Sequence, residues 1–259
     1  MRTGQSLLCT FAALAAFGAA AAQADAPVDF SGTLTGSYAN ADVSGVTADL
    51  FGGDASGAVR FGEHWNMEAN AGYRHVTAPG LHANDWQFGG GFFWKDGKGR
   101  IGPVAGYESV DTNIGSDHVS FEGAGGDWFL ADDATISTKG GGFNGSGGLS
   151  GYYVGGGFTA YWQRDVAFSG TVDYAHAAGT GAETDYTMQG EWLVSERVPF
   201  SVYGGYTYAD ITSLGGHTNV WFLGVRFYTN GDGSHTLVDR QRNGPLGWSG
   251  AFAPILLSY

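Results

Sequence analysis

The sequence is poor in cysteine and in basic residues, and it has no long apolar run beyond its first residues. Its one cysteine, Cys9, lies in the N-terminal leader described below, so the rest of the chain has no disulfide or thiol chemistry. Only 12 Lys and Arg stand against 25 Asp and Glu. Nucleic-acid binding needs clustered cations, so we expect no nucleic-acid partner. After residue 24, no segment offers the roughly 18 consecutive apolar residues of a membrane-spanning helix.

The first 24 residues have the layout of a secretory signal peptide. Arg2 supplies a positive start, residues 7–22 are apolar and rich in alanine, and residues 22–24 (Ala-Gln-Ala) form a cleavage sequence. We therefore predict that residues 1–24 are removed during export and that the mature chain begins at Asp25. The loss of Arg2 would move the formal charge from the −13 of the full chain to about −14.

Glycine and aromatic residues are abundant, while charged residues are scarce. There are 46 glycines, and aromatic residues make up 15% of the chain against 14% for charged ones. The glycines alternate with Phe, Trp, Tyr and Val, which favours strands over low-complexity sequence. Residues 28–38 show this best: Val28, Phe30, Leu34 and Tyr38 fall on one face and polar residues on the other. Alternation over about ten residues is what a membrane-crossing strand requires.

Twelve segments share this alternation. They are residues 28–38, 47–60, 65–75, 85–94, 100–109, 118–129, 135–143, 151–162, 167–176, 184–194, 200–209 and 218–228. The sequence therefore predicts an all-β fold, a transmembrane antiparallel up-and-down β-barrel of twelve strands. Glu122 and Asp127 have opposite parity in the sixth segment, which predicts either a bulge between them or a wrong register for this segment.

The connections between these segments alternate between short and longer stretches. The longer ones, rich in Gly, Ala, Asn, Thr and Asp, are residues 39–46, 76–84, 110–117, 144–150, 177–183 and 210–217. Short periplasmic turns and longer outer loops are typical of outer-membrane barrels, so we expect both termini in the periplasm. Aromatic residues at both ends of the segments, such as Trp65 and Tyr73, are typical of girdles at the membrane surfaces.

In this pattern the chain resembles the bacterial outer-membrane β-barrel superfamily, of the small porin-like kind, over residues 25–228. The resemblance implies a place in the outer membrane of a Gram-negative cell envelope. Such barrels usually end in a strand with a terminal aromatic residue, but here residues 229–259 follow the twelfth segment. They form either a periplasmic or lumen-lying tail, or two further strands that raise the count to fourteen. Pro254 would cost the last strand a hydrogen bond, which favours the tail.

If the apolar faces meet lipid, the opposite faces line the lumen. The charged residues predicted there as a possible constriction, besides Asp54, are Arg60, Glu68, Arg74, Arg100, Glu108, Glu122, Lys139, Asp173, Asp185, Glu191 and Arg226. Positive and negative charges are close to balanced in this set. The set is compatible with a constriction that selects polar solutes, and equally with internal ion pairs that fill a small lumen.

Other polar residues give weaker signals. Five histidines fall near the predicted outer rim, namely His75, His82, His118, His176 and His217, with Asp85, Asp111 and Asp117 close in sequence. They lack a tight ligand spacing, so we expect no metal and no cofactor. Ser116 and His118 are neighbours in sequence without a nucleophile elbow, and we expect no enzymatic activity.

These observations favour a passive, narrow channel for small polar solutes. One alternative is a closed structural or surface-interaction barrel, and a second is an outer-membrane hydrolase. The expected partners are outer-membrane lipids and lipopolysaccharide, together with small polar solutes. The sequence leaves the oligomeric state open.

Overall fold

The computed structural model describes residues 29–43, 45–113, 115–195, 197–212, 216–230 and 236–246. The predicted signal peptide and its cleavage site lie outside these residues. The chain forms twelve strands: β1 (Asp29–Val43), β2 (Val46–Phe61), β3 (Trp65–Ala78), β4 (Leu81–Asp96), β5 (Gly99–Thr112), β6 (Ser116–Ala131), β7 (Ala134–Gly145), β8 (Ser150–Gln163), β9 (Val166–Ala177), β10 (Gly181–Ser195), β11 (Val198–Ile211) and β12 (Gly216–Asn230).

The strands make one closed antiparallel barrel. Each strand pairs with its neighbour in the chain, and β1 also pairs with β12. Leu34, for example, lies opposite Ala55 on β2 and opposite Phe227 on β12. Closure leaves no unpaired sheet edge, as a barrel in lipid requires. The prediction of twelve strands is confirmed, and because β1 and β12 meet directly, the fourteen-strand alternative is wrong.

The alternation of side chains divides the barrel into an apolar outer face and a more polar inner face. Large apolar residues on the outer face remain exposed, among them Leu34 (53%), Met188 (74%) and Trp221 (66%). Aromatic pairs lie near both ends of this face: Trp65 stacks on Phe92 with ring centroids 4.9 Å apart, and Trp221 lies 4.6 Å from another ring. A closed sheet that exposes its apolar side chains outward is suited to lipid rather than to water.

We call the end of the barrel that holds the start of β1 and the last residue of β12 the turn end, and the opposite end the loop end. Both ends carry short connections. The strands, of 12 to 16 residues, continue into the segments predicted as longer loops, so Asp42 pairs with Thr47 and Thr77 with His82. Gly80, in one two-residue turn, has a φ of +80°, which glycine adopts without strain.

The prediction of longer loops is therefore wrong, and the physical reason is pairing. Once two antiparallel strands are aligned, each further residue pair satisfies more backbone groups, whatever its side chains. A 16-residue strand tilted by about 40° reaches roughly 40 Å along the barrel axis, more than the apolar band of such barrels needs. The extra length projects at the loop end, where the outward residues are polar.

The predicted bulge between Glu122 and Asp127 is also absent. Strand β6 pairs with β7 in continuous register from Val119 to Phe129, and the register shifts only between Phe129 and Ala131, beside the turn. The two acidic residues simply lie on opposite faces: Asp127 is buried inside, and Glu122 is exposed outside.

A short helix, α1 (Leu237–Asn243), follows β12. Thr236 caps its start, since its side chain accepts a hydrogen bond from the backbone N–H of Asp239. The backbone N–H of Gly244 donates to the carbonyl of Arg240 at its end. We call residues 236–246 the tail segment. No helix among the described residues is long and apolar enough to span a membrane.

Replacement of Met188 by arginine tests the assignment of the two faces. Met188 lies on the outer face between Tyr186 and Trp192, so a charge there would sit in lipid and lower the free energy of unfolding by about 2–4 kcal/mol. Gln189→Arg is the matched control, because Gln189 lines the lumen. Urea unfolding in lipid vesicles measures both, and equal losses would show that the faces are misassigned.

Candidate functional site in the lumen

The lumen holds a polar cavity of about 530 Å³. Hydroxyl, amide and charged side chains line its wall, together with glycines of β8. The tail segment contributes Arg240, Gln241, Pro245 and Leu246 to the lining. The cavity is thus bounded by the inner faces of the strands and by the residues that follow β12.

A buried ion cluster around Arg100 joins three strands to the tail segment. The Arg100 guanidinium donates to Asp127 Oδ2 at 2.6 and 2.8 Å and to Glu68 Oε1 at 3.4 Å. It also donates to the carbonyl of Gly244 at 2.5 Å, and Glu68 Oε2 accepts from the backbone N–H of Leu246 at 2.7 Å. The ion cluster that links these three strands on the inner wall of the barrel therefore holds the tail segment as well.

A second cluster surrounds Glu191, which is only 3% exposed. Its Oε1 accepts from Ser201 Oγ at 2.6 Å and from the Tyr228 hydroxyl at 2.5 Å. Its Oε2 accepts from Arg226 at 2.5 Å and from Gln241 Nε2 of the tail segment at 3.1 Å. Four donors satisfy both carboxylate oxygens, which is what makes a buried carboxylate tolerable.

The tail segment crosses the lumen at the turn end. Leu237, fully buried, packs near Tyr161 and Leu193, and its backbone N–H donates to the carbonyl of Arg164. On the opposite side of the barrel, Ser31 Oγ donates to the carbonyl of Asn243 at 2.8 Å.

Two long basic side chains add to this attachment. Lys95 Nζ donates to the carbonyl of Arg242 and to Asn243 Oδ1, both at 2.8 Å. The Arg242 guanidinium donates to the carbonyls of Ala131 and Ala134. A second hollow of about 840 Å³ opens on the turn side, lined in part by Arg242 and Asn243. The tail segment therefore lies between this hollow and the lumen cavity.

Other lumen charges are paired between strands. Arg74 contacts Asp85 at 3.1 Å, and Lys139 contacts Asp173 at 2.8 Å with both side chains partly exposed to the cavity. Acidic groups outnumber basic ones on the described inner face of the strands. The acidic residues are Asp29, Asp54, Glu68, Asp85, Glu108, Asp117, Asp127, Asp173, Glu183, Asp185 and Glu191, and the basic ones are Arg60, Arg74, Lys95, Arg100, Lys139 and Arg226.

An apolar cluster occupies part of the lumen toward the loop end. Val119, Phe121, Phe143 and Tyr153 pack there, and Leu149 reaches inward from the connection between β7 and β8. Phe121 and Tyr153 meet edge to face, with ring centroids 6.3 Å apart. These side chains narrow the lumen on one side, so the polar cavity lies between them and the tail segment.

The predicted lumen residues lie on the inner face, with one exception. Glu122 is exposed on the outer face and takes no part in the lumen. Arg60 lies at the turn-end mouth, where it pairs with Asp29 at 3.5 Å, rather than beside the cavity. The others lie in the two clusters, in the two further pairs, or in a buried acidic group formed by Glu108, Glu183 and Asp185, while Asp54 lines the cavity.

The sequence interpretation missed several inward acidic residues, among them Asp85, Asp127 and Glu183, and it missed the contacts of the tail segment. Asp85 shares the parity of the inward Gln87, so the pattern contained the signal. Asp127 was left out of the predicted lumen residues because Glu122, which has the opposite parity in the same strand, was assigned to the lumen. Thr236 and Asp239, three residues apart, formed a helix-start signal that the interpretation did not use.

The histidines near the loop end form no metal site in the part of the chain that the structure describes, where no three His, Cys, Asp or Glu side chains are grouped as ligands. Asp85, close to them in sequence, points inward to Arg74. The His118 ring stacks on Tyr107, while Ser146 Oγ contacts Asp117 and the backbone of His118.

Comparisons with solved structures place this fold among outer-membrane barrels. An outer membrane channel from Pseudomonas putida F1 has a TM-score of 0.59 at 9% identity, covering 80% of this chain and 97% of the other. The NanC porin gives 0.55 at 12% identity (75% and 98% covered), and the KdgM porin 0.51 at 10% (74% and 98%). No protein-family model matches the sequence, and no curated protein matches it significantly. The likeness is one of fold.

Replacement of Arg100 by methionine tests the energetic weight of the first cluster. It leaves Asp127 and Glu68 without their buried cation, so we expect a loss of about 3–5 kcal/mol in the free energy of unfolding. The control, Arg60→Met, breaks a partly exposed pair and costs about 1 kcal/mol or less. Urea titration in detergent micelles measures both, and similar losses would contradict the assigned role of Arg100.

Proposed function

We propose that this protein is an outer-membrane channel for small polar solutes. In this proposal the turn end, with the start of β1 and the last residue of β12, faces the periplasm. The observation that carries the proposal is the polar cavity inside a closed barrel whose outer face is apolar. Water and polar solutes are stabilised by such a wall, while lipid is excluded from it. The solved neighbours are described as porins and channels, which supports the proposal at the level of fold.

The charge on the inner face favours small cations. Most of its basic side chains are engaged with carboxylates, as Arg74 is with Asp85, and Lys95 is bound to the tail segment, so few positive groups are left for an anionic solute. Asp54 lines the cavity, where it accepts a hydrogen bond from the neutral Thr35 hydroxyl at 3.1 Å and lies within electrostatic reach of Arg74. An excess of carboxylates along a narrow path attracts cations and repels anions.

The tail segment sets the width of the path at the turn end. It crosses the lumen and is held by both ion clusters, so the channel is narrow while the segment stays in place. The same observation favours a second candidate function, a closed barrel whose surface rather than its lumen is used. Conductance separates the two, because a closed barrel passes no ions.

Release of the tail segment is the direct test of the channel. The triple replacement Leu237→Ser, Gln241→Ala and Arg242→Ala removes its buried apolar anchor and its contacts with Glu191 and with the β6–β7 turn. We expect single-channel conductance in planar bilayers to rise severalfold over the wild-type value, because the turn end widens.

Asp239→Asn is the matched control in the same helix. Asp239 is exposed, and among the described residues it contacts only Thr236 at the helix start. The conductance of the Asp239→Asn variant should therefore equal that of the wild type. Zero current from both the wild type and the triple variant would contradict the channel and favour the closed barrel. Equal, nonzero currents would contradict the role of the tail segment alone.

The preference for cations has its own test in Asp54→Lys. The positively charged lysine side chain would face the cavity and should lower the cation-to-anion permeability ratio by about half or more. Asp49→Lys makes the same change on the same strand but on the outer face, where Asp49 accepts from the Tyr38 hydroxyl. Reversal potentials in a salt gradient measure the ratio, and an equal effect of both changes would contradict the lumen assignment.

A further inference from the structure

Five histidines share the outer face at the loop end of the barrel, and we call them the rim histidines. They are His75, His82, His118, His176 and His217. None is needed for the lumen or for the channel proposed above. Their common position on five different strands is a product of the fold, because the sequence separates them widely.

The rim histidines lie next to the tyrosines of the loop-end aromatic girdle. His118 stacks on Tyr107 at 5.7 Å between ring centroids, and His176 lies 5.5 Å from Tyr152. His217 stacks on a further tyrosine at 5.8 Å. Tyrosine girdles mark the level of lipid headgroups, so these imidazoles are placed at or just beyond that level.

His75 and His82 belong to the same level. His75 follows Tyr73 by two residues and therefore lies one outward position nearer the loop end. The rings of His75 and His82 stack with centroids 6.4 Å apart. His75 Nδ1 contacts Asn84 Oδ1 at 2.9 Å, which orients the ring along the outer face.

Near this rim no lysine or arginine lies on the described outer face of the strands, since Arg74, next to His75, points into the lumen and pairs with Asp85. The loop-end segments 39–46, 76–84, 110–117, 144–150, 177–183 and 210–217 contain neither lysine nor arginine. The turn end is different, since Lys95, Lys98, Arg164 and Arg197 lie there. Attraction of anionic groups to the loop end therefore depends on histidine alone.

The groups that face the rim histidines are acidic or neutral. Asp210 lies opposite His217, with Asp42 beside them on β1. His176 faces Tyr152 and Ala182. The acidic residues around the remaining three are Asp49 on β2, Asp111 on β5 and Asp117 on β6.

This arrangement changes its charge with pH. Aspartates carry charge throughout the range in which histidine ordinarily gains a proton, around pH 6.5. Each rim histidine that gains a proton offsets the charge of one of these aspartates and supplies an imidazolium donor on the outside of the girdle. Imidazolium and phosphate form charge-assisted hydrogen bonds.

We propose that the rim histidines form a proton-dependent contact surface for the phosphate groups of lipid headgroups in the leaflet at the loop end. The inference rests on the membrane insertion in the proposed function, but not on conduction. Lipid is the occupant because the surface is a ring around the outside of the barrel, at the girdle level.

The test compares two lipids around the full-length protein folded in phosphatidylcholine vesicles. Quenching of tryptophan fluorescence by brominated phosphatidylglycerol, relative to brominated phosphatidylcholine, gives the selectivity for a phosphodiester whose charge is constant with pH. In the presence of a chelator, selectivity should rise by about threefold or more from pH ~8 to pH ~5.5. Trp86 and Trp221 lie on the outer face near the rim as reporters.

Replacement of all five rim histidines by glutamine should abolish this rise. His64→Gln is the matched control, because His64 packs on Trp94 at the turn end and should leave the rise intact. Heat-modifiable migration on a denaturing gel shows that each variant is folded. The more conservative pair His118→Gln and His217→Gln, which alters two exposed rings only, should give a partial loss.

Three results would overturn the proposal. The first is equal selectivity at both pH values in the folded wild type. The second is a rise that survives the fivefold replacement. The third is selectivity that appears only with added Mg²⁺ and is independent of pH, which would mean that aspartates bind phosphate through divalent ions. A protein that fails to insert would overturn the proposed membrane location as well, and conductance would then be absent too.

Discussion

A charge inside this barrel must find a partner, because removing an ion from water is costly unless another group replaces the lost hydrogen bonds. Around Arg100 and Glu191 the lumen meets this requirement with paired charges between strands, and it uses the tail segment to complete them. Arg100 has two carboxylates and still donates to the carbonyl of Gly244. Glu191 has three donors on the barrel wall and accepts a fourth from Gln241. The pairing of these lumen charges therefore depends on the position of the tail segment, and the position of the tail segment depends on the same contacts.

This coupling has a consequence for the channel. The residues that would most simply be assigned to selectivity, such as Arg100 and Arg226, are occupied in holding the structure together. In the proposed channel, the groups left to act on a solute are partly exposed side chains on the cavity wall, such as Asp54 and the Lys139–Asp173 pair. In the proposed channel, this arrangement would favour cations, and the width of the path would depend on whether the tail segment stays attached.

Much of the fold could be predicted, because lipid imposes a simple rule on each strand. Alternation in residues 28–38 or 184–194 identifies the strand and its outward face without knowledge of any neighbour. The rule fails where the constraint of lipid ends. Beyond the girdle, polar residues on both faces look like loops, so the pairing of Thr77 with His82 was missed. Glu122 was misassigned because a charge on the outer face breaks the pattern.

By itself, the sequence determined the strand count and the apolar face of each strand, since these depend on composition and on a period of two. Only the tertiary structure decided which charges meet. Arg100 and Gly244 are far apart in the chain, and their contact exists because the barrel closes and the tail segment turns back into the lumen. The ring of histidines has the same origin, because closure brings five separate strands to one level. Local periodicity sets a side chain's direction, but closure of the barrel sets its partner.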